Sequence, residues 1–246
     1  MARIGLIQTR GIGDIIIALP IAAEFARRGD TVFWPVDSDY IDYLKSAAPY
    51  ANFIPVRRGP VAGEEYFLTD PEQALRAARC DRTFVLYRYL SGGHVKVQNE
   101  AFVDFFKFDE YKYAVTGIPF REKWNLQITR DRRREERLFE SLGIERPFIC
   151  MHLRGSNRAV EFAVPASWER DYQIIRIDER TSSPFDWLAT LERAAKLVCI
   201  DSCFSNLVEQ LNLPNEKHFI LRSSGPYTPV LRNDWQFHVA QAERQE

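Results

Sequence analysis

Between Arg3 and Pro20 the chain passes from an apolar run, Ile4-Gly5-Leu6-Ile7, through Gly11-Ile12-Gly13-Asp14 into a second apolar run. That order predicts a short buried strand, a tight glycine turn and a helix, with Asp14 at the helix N-terminus facing a crevice. Glycines at 11 and 13 let the backbone bend sharply and come close to a ligand, while the N–H groups that open a helix attract negative charge. A nucleotide or phosphate site is the expectation. The bland use of Asp14 is to cap its helix, as Asp often does.

The dinucleotide-binding fingerprint begins the same way but requires a further glycine where this chain has Ile16, so the close helix-to-strand approach allowed by that glycine is missing. Asp37, after the second strand, stands where a ribose-binding acid would, which keeps an NAD(P)-dependent Rossmann enzyme as an alternative. Taken whole, Gly11-Ile12-Gly13-Asp14-Ile15-Ile16-Ile17-Ala18-Leu19-Pro20 resembles the opening of the heptosyltransferase-like glycosyltransferases, family 9, of GT-B fold. That resemblance implies a Rossmann-like acceptor domain, then a Rossmann-like donor domain, with the reaction in the cleft between them. It also implies an inverting, metal-independent transfer in which the carboxylate at Asp14 takes the proton of the acceptor hydroxyl. The nucleotide sugar is then a co-substrate, and no cofactor is expected.

A second landmark lies near the C-terminus. Leu188 to Ala195 predicts a helix, Leu197 to Ile200 a buried strand, Asp201-Ser202-Cys203-Phe204-Ser205-Asn206 a turn, and Leu207, Val208 and Leu211 a further helical face. Hydroxyls and amides at a strand-to-helix turn suit diphosphate oxygens. The segment resembles the donor-binding stretch of the same family, with Cys203 in place of its glycine and Asn206 in place of its histidine. Helix capping by Asp201, Ser202 and Ser205 is the alternative.

A third clue is the strand Pro147 to Leu153, which ends in Arg154-Gly155-Ser156-Asn157-Arg158. A Gly-Ser turn between two guanidinium groups can bind a diphosphate through backbone N–H groups and bidentate contacts, or it can be a polar surface turn. Arg154, Ser156, Asn157 and Arg158 therefore join Gly11, Gly13, Asp201, Ser202, Ser205 and Asn206 on the donor side. Arg10, Arg88 and His94 lie after strands of the first half and are assigned to the acceptor side. His94 receives no catalytic role, and the strand Gln173 to Ile177 ends at Asp178-Glu179, where Glu179 is a candidate contact for a ribose and the alternative is that Asp178 caps the helix near Phe185 to Ala195.

Strands are expected at Arg3 to Gln8, Thr31 to Val36, Asn52 to Val56, Thr83 to Tyr87 and Tyr111 to Val115, with helices at Asp14 to Arg28, Asp39 to Ala48 and Pro71 to Ala78. The alternation predicts doubly wound parallel sheets, class α/β. The domains are expected at residues 1–125 and 126–246, a minimal-length GT-B chain. Arg130 to Arg137 interleaves Asp131, Glu135 and Glu136, which predicts a mixed-charge solvated helix. Lys217 to Arg222 is expected to be the last strand, and Gln241 to Glu246 frayed.

With 246 residues, 46% apolar and net charge -1, the composition is that of a globular chain without a bias towards nucleic acid. No apolar run reaches the roughly 18 residues of a membrane span, and the N-terminus does not read as a signal peptide. The expected compartment is the cytoplasm, with Cys80, Cys150, Cys199 and Cys203 as reduced thiols and no second pair beside Cys199 and Cys203 for zinc. The expected partners are a nucleotide sugar and a glycan or lipid-linked acceptor. Two further alternatives stay open: a nucleotide-binding module without transfer activity, and a glycosyltransferase acting on modified DNA bases through Arg57, Arg58 and the Arg130 to Arg137 run.

Overall fold

The computed structural model describes residues 1–59, 63, 65–88, 105–155, 159–222 and 228–240. The chain forms two units, Met1–Arg130 and Asp131–Glu246.

The first unit runs β1 (Arg3–Ile7), α1 (Ile12–Arg27), β2 (Thr31–Asp37), α2 (Ile41–Ala47), β3 (Ala51–Val56), α3 (Asp70–Ala77), β4 (Arg82–Val85) and α4 (Phe108–Thr116). Its strands pair in parallel in the order β3-β2-β1-β4. A central parallel strand is covered on both faces, so it is written as a continuous apolar run. Ile4, Leu6 and Ile7 of β1 are accordingly no more than 1% exposed. On the same strand, a Cβ at Gly5 would lie 2.7 Å from Leu75 Cδ1, so the glycine is what lets α3 pack onto β1. Ile15, Ile16, Ile17, Leu19 and Ile21, at 0% exposure each, bury the middle of α1 on every side.

One expected element is of the wrong type. Tyr111 to Val115 is not a strand but the middle of α4. Tyr111, Lys112 and Tyr113 are all buried, and a short run buried on all sides has no period from which strand and helix can be told apart. The deciding signals flank it. Glu110 Oε2 accepts from the Lys107 backbone N–H at 2.9 Å, and Gly117 closes the helix at φ 70°. The expected helix at Asp39 to Ala48 is divided into a 3-10 turn, Ser38–Tyr40, and α2, with Asp37 accepting from Asp39 N.

The second unit runs α5 (Arg132–Ser141), β5 (Phe148–His152), α6 (Ala166–Asp171), β6 (Gln173–Arg176), α7 (Leu188–Arg193), β7 (Lys196–Ile200), α8 (Cys203–Gln210), β8 (Glu216–Leu221) and β9 (Trp235–Val239). All five strands are parallel in the order β6-β5-β7-β8-β9. Strand β9 therefore follows the segment expected to be last. It is an edge strand on which Trp235 is buried while Phe237 and Val239, which alternate with Gln236 and His238, are exposed. The charged run on α5 is largely solvated, as expected, with Arg132, Arg133, Arg134 and Arg137 exposed and Glu135 buried, and it also makes ion pairs within the unit. Arg134 reaches Asp186 at 2.7 Å, Arg132 reaches Glu192 at 3.3 Å, and Glu136 pairs with Arg193, which ties the helix to α7 and to the turn before it.

A buried ion pair joins the start of α4 to the 3-10 turn Phe120–Trp124, with Lys123 Nζ 2.7 Å from Asp109 Oδ2 and both side chains 0% exposed. Removing one partner leaves the other charge in the interior, which costs about 3–5 kcal/mol. Asp109→Ala should lower the urea midpoint accordingly with little change in slope. A variant as stable as the parent chain would mean that the pair is hydrated.

Candidate functional site

In open α/β sheets a ligand crevice lies at the carboxyl ends of the strands where the strand order reverses. In the first unit that place is between β1 and β4. The turn after β1 is held by backbone and side chain together: the Tyr87 hydroxyl oxygen accepts from Thr9 N at 2.7 Å and Arg10 N at 3.0 Å, and Asp37 N donates to Thr9 O at 2.8 Å. Burial pushes the Tyr87 phenol up to about 12, so it stays neutral. Tyr66 donates a short hydrogen bond to Asp37, and its phenol is raised by burial and by that carboxylate.

Asp14 sits in the first turn of α1. Gly11 flanks the helix at φ 81° and no side chain caps it, so capping is not the use of Asp14 here. Its carboxylate is paired with Lys112, Oδ1 to Nζ 2.9 Å, with the Asp14 side chain 36% exposed. A Cβ on Gly11 would come 2.8 Å from Asp14 Oδ2, so this position needs glycine for its torsion and for the approach of the carboxylate. Gly13 occupies the second residue of the same helix. Arg10 opposes the rise that burial gives the Tyr40 phenol, while Arg88 is buried at the end of the segment after β4. His94 lies outside the described residues.

In the second unit the order reverses between β5 and β7. His152 ends β5, with Nδ1 3.0 Å from the Ser202 hydroxyl and its ring 4.6 Å from that of Phe204. Burial, and then the nearby Arg222 guanidinium, push its imidazole down to about 4. Arg222, directly after β8, donates to Asp201 O at 2.6 Å. Ser205 is fully buried and its hydroxyl is engaged within the turn, accepting from Ser202 N at 3.1 Å and donating to Ser202 O at 2.9 Å. Asn206 is buried as well. Thus Asp201 and Ser202 face the crevice end of β7, while Ser205 and Asn206 support the turn.

Arg154 is exposed, 3.8 Å from Glu179, and its backbone bridges to Ala159. Ser156, Asn157 and Arg158 lie outside the described residues. Asp178 pairs with Arg180 at 2.6 Å and caps no helix. Beside the ends of β5 and β6 is a cavity of about 320 Å³, walled by Leu153, Val160, Phe162 and Ala163 with Glu161 and Arg176. Among the described residues, no cluster of His, Cys, Asp and Glu is suited to a metal ion, and no helix is long and apolar enough to cross a membrane.

Lys112, His152 and Arg222 were not marked by sequence reasoning. The last two had a legible signal, a polar residue closing an apolar parallel strand. Lys112 had none, because its place on α4 depends on tertiary packing.

No family model and no curated protein matches the chain. Solved structures do. The ADP-heptose lipopolysaccharide heptosyltransferase II of E. coli superposes with TM-score 0.59 at 12% identity, over 97% of this chain and 90% of that one. A family 9 glycosyltransferase from Veillonella parvula gives 0.61 at 11%, over 97% and 86%. The dodecameric iron-containing heptosyltransferase TibC, in complex with ADP-D-β-D-heptose, gives 0.55 at 12%, over 99% and 67%. The fold is that of the heptosyltransferases. In this heptosyltransferase-like fold, Asn206 is buried and Cys203 half-buried at the start of α8, and desolvation pushes the Cys203 thiol up to about 12.

The lowered imidazole has a pH signature. The unfolded chain takes up a proton at His152 near its ordinary value of 6.5, which the folded chain refuses until about 4. Stability is therefore unaffected above 6.5 and falls as pH drops through this window, by on the order of 3 kcal/mol. The pH profile of unfolding for His152→Asn should be flatter than that of the parent over this range. Parallel profiles would overturn the assignment.

Proposed function

We propose that this chain is an inverting, metal-independent glycosyltransferase, moving a sugar from a nucleotide-sugar donor to a hydroxyl of a glycan or lipid-linked acceptor. The observation that carries the reading is the Asp14 carboxylate, held on a glycine turn at the strand-order reversal with one oxygen secured by Lys112. The fold likeness supports it, and one structure of that fold is a complex with ADP-D-β-D-heptose.

In the proposed reaction the acceptor oxygen attacks the anomeric carbon while Asp14 takes its proton. The new C–O bond forms as the bond to the nucleoside diphosphate breaks, and the diphosphate leaves with the bonding pair. Charge developing on it is the term that most needs stabilisation. Arg154, Arg222 and the Ser202 hydroxyl are the groups proposed to supply it, with Arg158, Ser156 and Asn157 alongside. A ring with an apolar face suits the cavity at Leu153 and Phe162, so the nucleobase is assigned there. Arg10 and Arg88 remain on the acceptor side. A cytoplasmic setting accords with four unpaired cysteines.

Two other readings are less well supported. Ile16, buried at 0% exposure, fills the place of the glycine that a dinucleotide fingerprint requires. For a DNA acceptor, Arg132 and Arg134 of the basic run are already paired with carboxylates of their own unit.

Thermal unfolding with nucleoside diphosphates, nucleotide sugars and NAD(P) should show selective stabilisation by one nucleoside diphosphate and its sugar conjugate. Stabilisation by NAD(P) alone would overturn the reading. Asp14→Asn should then lower turnover by roughly 10²-fold or more while donor binding persists, and unchanged turnover would remove Asp14 as the base.

A further inference from the structure

Lys112 is a cation with almost no access to water, its side chain 2% exposed. An ammonium has three N–H donors and is stable in such a place only when they meet acceptors. Here the partners are Asp14 Oδ1 at 2.9 Å, Gln8 Oε1 at 2.8 Å and the Leu86 carbonyl at 3.0 Å. These groups belong to three different parts of the fold: the first turn of α1, the residue after β1 and the residue after β4. They surround the crevice at which the strand order of the first unit reverses. The amide of Gln8 is held in one sense, because its Nε2 donates to Arg10 O at 2.7 Å, leaving Oε1 for Lys112. With these partners the ammonium has no donor left over for a phosphate or a sugar.

We infer that Lys112 is a positioning residue for the proposed transfer, acting on the reaction only through Asp14. A carboxylate at the start of a helix can rotate about its Cβ–Cγ bond and exchange its oxygens. Pairing Oδ1 with a buried ammonium that is itself held by hydrogen bonds to Gln8 and Leu86 stops that exchange and presents Oδ2 on the Gly11 side, where there is no side chain to obstruct it. The catalytic consequence rests on the proposed function. The clamp itself rests on geometry alone, and the experiment separates the two.

The first arm uses the full chain labelled with ¹⁵N-lysine. A buried, hydrogen-bonded ammonium exchanges slowly and should give an NH₃⁺ signal that vanishes in Lys112→Met and moves or broadens in Asp14→Asn. A signal unchanged in Asp14→Asn overturns the clamp. The second arm measures ADP release with ADP-heptose as the probe donor. Lys112→Met should lower kcat by about 10²-fold with the KM for ADP-heptose within about twofold, since misplacing a reacting group acts on the chemical step. In the Asp14→Asn background the same substitution should add less than about twofold, because one residue acts through the other. Lys112→Gln keeps N–H donors without the charge and should show the same split, guarding against a loss that only reflects unfolding. Multiplying effects, or a rise in KM with kcat unchanged, overturn the positioning role. A parent chain that releases no ADP and also responds to no other nucleotide sugar fails the transfer and its kinetic consequence together, while the ammonium signal still decides the clamp.

Discussion

Every strand in both sheets runs in one direction, and that constraint governs where everything else can stand. Parallel neighbours cannot be joined by a hairpin, so each connection crosses a face of the sheet and returns. The crossings cover both faces, which is why β1 and β7 are apolar along their length. They also deliver every post-strand turn to the same edge. Where the order reverses, successive crossings go to opposite sides and a crevice is left uncovered. Gln8 to Asp14 and Leu86 to Arg88 meet there in the first unit, as do His152 to Gly155 and Asp201 to Ser202 in the second.

A crevice lined with turns carries many polar groups, and those cut off from water require partners. The first unit meets this requirement with a few residues that each serve several groups. Tyr87 accepts from two successive backbone N–H groups, and Lys112 joins three segments. The second unit does so with Ser205, which closes the turn on Ser202, and with Arg222, which holds the Asp201 carbonyl. Such bonding fixes the geometry of the turns before a ligand arrives, and preorganised dipoles and charges are worth most where water is scarce. A group such as Ser205, whose hydroxyl both accepts and donates inside the turn, is a poor candidate for direct ligand contact. That distinction separates Ser202 from Ser205, although both are serines of one turn.

Much of this was legible in the chain. The apolar runs of β1, β2, β5 and β7 and the glycine turn before α1 are local signals, and each is where periodicity and turn chemistry place it. In the misassigned segment, Tyr111 to Val115, three successive residues, Tyr111, Lys112 and Tyr113, are buried and leave no readable period, even though Glu110 and Gly117 mark its ends as helical. Strand β9 was written in a clear alternation and needed only to be counted. Asp14 was legible because its role as a turn residue depends on its neighbours in sequence. Its partner was not, since Lys112 is 98 positions away by number and reaches Asp14 only once α4 is packed against the sheet. Local order thus announces where a crevice will be, whereas the charges that tune it come from residues with no local signature.

The second unit makes the same point through its departures from the resemblance. Cys203 and Asn206 stand where a glycine and a histidine were expected, with Cys203 half-buried and Asn206 buried in α8. A thiol raised to about 12 offers neither a nucleophile nor a charge at neutral pH. An imidazole is nevertheless present at this edge of the sheet, supplied by β5 instead of α8, with His152 Nδ1 3.0 Å from Ser202 Oγ. Arg222 beside it helps to keep it neutral, so it is a hydrogen-bonding group there and not a cation, while the guanidinium carries the positive charge. A neutral ring orienting a hydroxyl, next to a fixed cation, is a chemically sufficient cradle for phosphate oxygens. Judging the turn by the residues missing from one motif overlooks what the neighbouring strands bring to it.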